Sequence, residues 1–120
     1  MDIVTLSKAL ADETRARIAG VLLEHELNVG ELQQVLDMGQ SRVSRHLRIL
    51  ATAGLVECRR DGLWAYYKAA EDGPARAFLD AAVPYLEGDP QVTADQARAA
   101  RAVEERKQAT RRFFDAVAAQ

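Results

Sequence analysis

Apolar residues recur at helical spacing through most of this chain, and one stretch, Leu55 to Lys68, reads instead as two short strands. Ile3, Leu6 and Leu10 mark a short first helix. Asp12 is placed to cap a second, whose inward positions are Ile18, Val21 and Leu22. Val29 to Leu36 predicts a third helix with Leu32, Val35 and Leu36 apolar, and Asp37-Met38-Gly39 follows as a tight turn. Gly39 then serves as N-cap of a fourth. In that helix Val43, Leu47 and Leu50 fall at i, i+4 and i+7 on one buried face, while Ser41, Arg45, Arg48 and Thr52 project from the other. Gly54 ends it as a C′ residue. Leu55–Arg59 and Leu63–Lys68 then flank Arg60-Asp61-Gly62, and Asp-Gly between strand-like runs predicts a hairpin. Trp64, Tyr66 and Tyr67 suit a half-buried pleated surface, with packing rather than base stacking as their role.

A short helix, a three-residue turn and a helix with polar residues in its first turns make a helix-turn-helix, whose second helix enters the major groove of DNA. The basic hairpin beside it is a wing. From Asp72 the chain becomes alanine-rich, and Ala75, Phe78, Leu79, Ala82, Val83 and Leu86 form one apolar stripe. Pro84 should kink or weaken that helix, and Gly88-Asp89-Pro90 should end it in a linker. Thr93 with Gln96 then reads as a capping box, with Val92 and Ala97 as a hydrophobic staple, opening a helix to about Ala118. Such a helix is about 38 Å long, more than so small a core can cover. Its apolar positions Val103, Phe113, Phe114 and Val117 are therefore expected to face a second subunit. The expected class is mainly α with a small β-hairpin. A winged helix-turn-helix occupies 1–71 and C-terminal dimerisation helices occupy 72–120.

With 120 residues the chain has one domain's worth of protein, and its net charge of −2 looks wrong for a DNA binder until it is divided along the sequence. Gln40 to Lys68 carries +4, and the remainder carries −6. Positive charge is thus concentrated on the proposed reading surface. No apolar run reaches membrane-spanning length and the start lacks a signal-peptide pattern, so a cytoplasmic protein with no membrane partner is expected. Cys58 is the only cysteine, too few for an intrachain disulfide or a cysteine-based metal site.

These residues resemble the ArsR/SmtB family of winged-helix transcriptional regulators. The resemblance is carried by Ala9-Leu10-Ala11-Asp12 with Thr14-Arg15, by Glu31-Leu32, by Gln40-Ser41 with Val43-Ser44-Arg45-His46-Leu47 and Leu50, by Ala53-Gly54-Leu55-Val56, Arg59-Arg60 and Gly62, and by Tyr66-Tyr67. It implies a homodimer that binds a palindromic operator in double-stranded DNA, usually as a repressor, and leaves it when an effector binds. Gln40, Ser41, Ser44 and Arg45 come first on the helix and are expected to reach base edges. Arg42 and Arg48 lie further round it, where phosphate contact is the expected job, and Arg59 and Arg60 reach an adjacent minor groove or backbone. His46 falls nearer the buried face and is read as a packed, hydrogen-bonded histidine.

The chain departs from the family's metal sensors. Where arsenic-sensing members carry a cysteine pair, Asn28 and Gly30 stand here, and Asp72 to Gln120 lacks the histidine that zinc-sensing members use. No cofactor and no metal are expected, since His25, His46 and Cys58 are scattered over three elements. The final segment with Arg111-Arg112 and Phe113-Phe114-Asp115 is similar to the linker joining an ArsR-type domain to a methyltransferase in fused proteins. That resemblance points to S-adenosylhomocysteine or S-adenosylmethionine as the small-molecule effector. The alternative is a protein-interaction module partnering a methyltransferase. An enzyme is not expected, because no carboxylate pair, activated nucleophile or glycine-rich phosphate loop is present.

Overall fold

The computed structural model describes residues 2–120. Its elements in chain order are α1 (Ile3–Leu10), α2 (Glu13–Leu22), β1 (Leu27–Asn28), α3 (Val29–Leu36), α4 (Gln40–Thr52), β2 (Val56–Asp61), β3 (Trp64–Ala69), α5 (Gly73–Glu87) and α6 (Pro90–Ala118). The protein is thus mostly helical around one small sheet. Asp12 caps α2 as expected, its carboxylate accepting from the Arg15 amide at 3.0 Å. Asn28 and Glu31 form a reciprocal capping box at the start of α3 that the sequence reading did not anticipate.

The apolar pattern of the first four helices packs as their spacing requires. Ile18, Val21, Leu32, Val43, Leu47 and Leu50 are all buried in one cluster, where each fully buried aliphatic side chain contributes roughly 1.5–3 kcal/mol over leaving it in water. Ala75 and Leu79 of α5 and Ala99 of α6 belong to the same cluster. Ile3 faces solvent, so the first helix buries Leu6 and Ala9 instead.

The sheet has three strands in the order β1-β3-β2, all antiparallel, where a two-stranded hairpin was expected. β1 is only two residues long, too short for an alternating pattern to register. The hairpin register also differs from expectation. Asp61 pairs with Trp64, so Arg60 and Asp61 belong to β2 and the turn is Gly62-Leu63. Gly62 has φ +61° and no other turn residue has positive φ, which is the demand of a two-residue turn with glycine at its first position.

The second half of the chain corrects one further expectation, the start of its last helix. α5 runs through Pro84 to Glu87 and ends at Gly88, where its end was expected. α6 begins at Pro90, with Asp89 as N-cap accepting from the Gln91 amide at 2.8 Å, and proline suits the first helical position. Thr93 and Gln96 therefore lie inside the helix. Thr93 bonds back to the Asp89 carbonyl, and Gln96 donates to the Gly20 carbonyl at 3.1 Å. Val92 is no staple but a buried contact against α2. A methyl group on Gly20 would lie 2.5 Å from Val92 Cγ1, so only glycine permits this approach. α6 spans 29 residues, or about 44 Å.

Only the first half of α6 is packed. Val92, Asp95 and Ala99 are buried, Ala102, Val103 and Arg106 are half-buried, and every residue from Lys107 onward is exposed. Val103 packs on the chain's own core, while Phe113, Phe114 and Val117 are 63%, 62% and 50% exposed. The free half gives the molecule its 56 Å long axis.

Candidate nucleic-acid interface

α4 presents its polar side to solvent because its apolar side is fully committed. Val43, His46, Leu47 and Leu50 are buried, whereas Gln40, Ser41, Arg45, Arg48 and Thr52 are exposed and Ser44 is half-buried. Gly39, the N-cap, has no side chain to bond the first-turn amides. Those amides and the positive end of the helix dipole are therefore left to an external acceptor such as phosphate. Gln40 Nε2 donates to Ser44 Oγ at 3.1 Å, which orders the first polar turn. Among the described residues no side chain of the protein hydrogen-bonds the guanidinium of Arg45 or Arg48.

Arg42 lies apart from this row. It is exposed, but Nη2 reaches back 3.4 Å to Thr14 Oγ1 on α2, placing its guanidinium on the flank of α4. Arg59 and Arg60 also part company, since successive residues of a strand point to opposite faces. The Arg59 guanidinium grips Glu26, with Nη2 2.6 Å from Oε1, and lies 3.6 Å from Asp61. It also sits 5.0 Å from the Tyr66 ring centroid, and Arg106 of α6 approaches the same ring at 5.0 Å. Arg106 in turn pairs with Glu31 at 2.6 Å. The Arg59 guanidinium beside Glu26 holds that carboxyl below the usual carboxylate range. Arg60 has no such partner among the described residues. The eight proposed contacts thus divide into a compact row, Gln40, Ser41, Ser44, Arg45 and Arg48, with Arg60 on the wing, and two residues held by the protein itself.

His46 is buried, and its Nδ1 lies 3.1 Å from Arg15 Nη1. Arginine can only donate, so this nitrogen is the acceptor of a neutral ring. Burial pushes its pKa below the ordinary imidazole value, outweighing the opposing pull of Asp12 3.9 Å away. His46 thus joins α1, α2 and α4 rather than the groove face. Behind α4 stands a network that sequence reasoning missed. Asp95 of α6 is fully buried and receives Nε and Nη2 of Arg17 at 2.7 and 3.0 Å, Gln91 Nε2 at 3.0 Å, and Nη2 of Arg98. Its only sequence signal is an aspartate on the face that also carries Val92 and Ala99.

No helix among the described residues is long and apolar enough to cross a membrane, and no group of three or more His, Cys, Asp or Glu residues is arranged to hold a metal ion. A short α3, a three-residue turn, a polar-faced α4 and a basic hairpin define a winged helix-turn-helix protein. Comparison with known proteins agrees. The model of the bacterial regulatory protein, arsR family, matches residues 12–57. Reduced HlyU from Vibrio cholerae N16961 superposes with a TM-score of 0.61 at 35% identity, covering 68% of this chain and 85% of that one. A homodimeric winged helix-turn-helix DNA-binding domain from Mycobacterium bovis, described as a possible ArsR-family transcriptional regulator, gives 0.61 at 32% identity over 69% and 77% of the two chains. The arsenical resistance operon repressor of Escherichia coli K12 is 43% identical over 75 residues, 62% of this chain and 64% of the repressor. The arsenic resistance regulator ArsR1 of Pseudomonas putida KT2440 is 44% identical over 68 residues, 56% of this chain and 53% of its own length. The chain thus spans half to two thirds of these curated relatives. It belongs to the ArsR family.

Proposed function

We propose that this chain is a cytoplasmic, homodimeric, sequence-specific DNA-binding transcriptional regulator, a repressor released from its operator by a small-molecule effector. The observation that carries the reading is the polar row on α4, where among the described residues the Arg45 and Arg48 guanidiniums have no protein partner and the N-cap offers no side chain to the first-turn amides, while Val43, Leu47 and Leu50 are buried beneath. Gln40, Ser41, Ser44 and Arg45 read base edges, Arg48 and Arg60 hold phosphate, and Arg42 contacts phosphate from the flank. Arg59 supports the wing from behind by fixing β2 to Glu26, and so contributes to binding through wing position. Dimerisation is supported by the homodimeric neighbour from Mycobacterium bovis. The exposed Phe113, Phe114 and Val117 give the end of α6 an apolar surface for a second copy.

Fluorescence anisotropy on labelled DNA from upstream of the chain's own gene, repeated across salt concentrations, tests the reading. If a dimer neutralises about eight phosphates, log K falls against log salt with a slope near −7. A flat response would refute groove reading. Titrating the complex with S-adenosylhomocysteine examines the effector that the resemblance of the final segment points to. Release at micromolar ligand would identify it, and undisturbed binding would discard it. Lack of DNA retention at low salt, with a methyltransferase co-purifying, would favour the interaction-module reading instead.

A further inference from the structure

A cleft of about 630 Å³ opens behind the first turn of α4, where α2, the end of α3 and the start of α6 meet. Three guanidiniums line it, those of Arg17, Arg42 and Arg98. Two are fixed in advance. Arg17 gives Nε and Nη2 to the buried Asp95, and Arg98 gives Nη2 to the same carboxylate and Nε to the Val35 carbonyl at 2.8 Å. One carboxylate thus balances one of two positive charges. The Nη1 groups of Arg17 and Arg98 have no protein partner among the described residues. Guanidiniums pinned by a shared buried acceptor lose little side-chain freedom when they bind a further oxoanion, which is how preorganisation favours affinity.

The rest of the lining narrows the ligand. Glu13 and Asp37 stand in the same cleft as the guanidiniums, and half-buried Met38 contributes apolar surface over the buried Leu36. A bare anion would meet two repelling carboxylates. A ligand bearing an ammonium beside its carboxylate turns that repulsion into attraction. We infer that this cleft binds a small zwitterion of the α-amino acid type with an apolar side chain. Its carboxylate faces Arg17, Arg98 and Arg42, its ammonium faces Glu13 or Asp37, and its side chain lies against Met38.

Resting on the regulatory reading above, the same geometry supplies a route to the DNA. Arg42 belongs to the recognition helix, and Asp37, with φ 54° at the α3 C-cap, belongs to the helix-turn-helix turn. A ligand that engages Arg42 within the cleft withholds its guanidinium from the phosphates and loads the turn that sets the angle of α4. Ligand binding and DNA binding then oppose each other, reciprocally.

The test is a titration of the full chain, free of DNA, with L-methionine, its methyl ester and N-acetyl-L-methionine, followed by NMR of backbone amides and arginine Nε groups. L-methionine should give saturable shifts at Thr14, Arg17, Asp37, Arg42 and Arg98, and each capped analogue should bind about tenfold more weakly, as loss of one charge-assisted contact implies. Arg98→Gln should weaken L-methionine about tenfold with the fold intact, and the double change Glu13→Gln with Asp37→Asn should weaken L-methionine but not the N-acetyl form, which has no ammonium to lose. Shifts confined to Arg45, Arg48 and Arg60, no saturation, or equal binding of all three compounds would overturn the site. Saturation that leaves operator affinity unchanged would overturn the coupling to DNA. A protein that binds L-methionine here and no DNA at any salt would refute the preceding subsection and the coupling, but not the site.

Discussion

Arg45 on α4 and Arg59 on the wing belong to the same basic stretch, and the structure gives them opposite surroundings. Arg45 extends from a helix whose other side is sealed and has no protein acceptor among the described residues, so its hydrogen-bonding capacity is unspent. Arg59 divides its donors between Glu26 and Asp61 and covers the Tyr66 ring. Its carboxylate partner Glu26 lies 33 residues away in the chain. On the proposed reading, an arginine is free to meet DNA only where folding has not already supplied its acceptor, and the same difference separates Arg48 and Arg60 from Arg17, Arg98 and Arg106.

The strongest way to break this comparison is at the committed arginines. Asp95→Ala leaves Arg17 and Arg98 without their buried acceptor and should cost about 3–5 kcal/mol of stability, measured by urea unfolding. A loss below about 1 kcal/mol would show that the network stabilises little. Next comes the free class. Arg45→Ala should cost about 1–3 kcal/mol of operator affinity while sparing non-specific DNA, and equal losses on both DNAs would remove Arg45 from base reading. The wing pair sharpens the contrast directly. Arg60→Ala should weaken all sequences alike and reduce the salt slope by about 1. Arg59→Ala should leave that slope unchanged and alter folding stability only slightly, because its pair with Glu26 is exposed to solvent and screened.

The His46–Arg15 contact makes a smaller, pH-dependent contribution. Burial lowers the His46 pKa in the folded state below the ordinary 6.5. Between those two values the unfolded chain holds more protons, so stability rises with pH through this window and is lost as pH falls below 6.5. Unfolding curves from neutral to mildly acid pH should therefore be flatter for His46→Gln than for the parent; identical slopes would rule out the assignment. The smallest effect belongs to the free end of α6. Removing residues 107–120 deletes no buried side chain and should change monomer stability by no more than about 0.5 kcal/mol. Sedimentation of the same truncation then reports whether Phe113, Phe114 and Val117 hold a second copy together.

The helices of the first half were legible because each carries an amphipathic period and a local end signal. Asp12 and Gly54 are such signals, and both behave as their chemistry requires. Gln40, Ser41, Arg45 and Arg48 were legible for the same reason, since the burial of Val43, Leu47 and Leu50 dictates which residues face outward. The start of α6 was misread because Thr93 and Gln96 have capping-box spacing. Asp89-Pro90 supplies a competing start four residues earlier, and packing of Val92 on Gly20 favours it. Two-residue β1 has no period to detect. Least legible were the ion pairs. Arg17 meets Asp95 across 78 residues and Arg106 meets Glu31 across 75, and single-sequence patterning contains no information about such partners.

One consequence of the hairpin register is optical. Trp64 opens β3 opposite Asp61, is 58% exposed, and is the chain's only tryptophan. The tryptophan fluorescence of this protein therefore originates beside the turn of the wing, at a solvent-exposed indole. Unfolding should shift its emission little, whereas an approaching duplex changes the polarity and quenching around the indole directly. The molecule carries an unlabelled reporter at the place where its proposed contact with DNA is made.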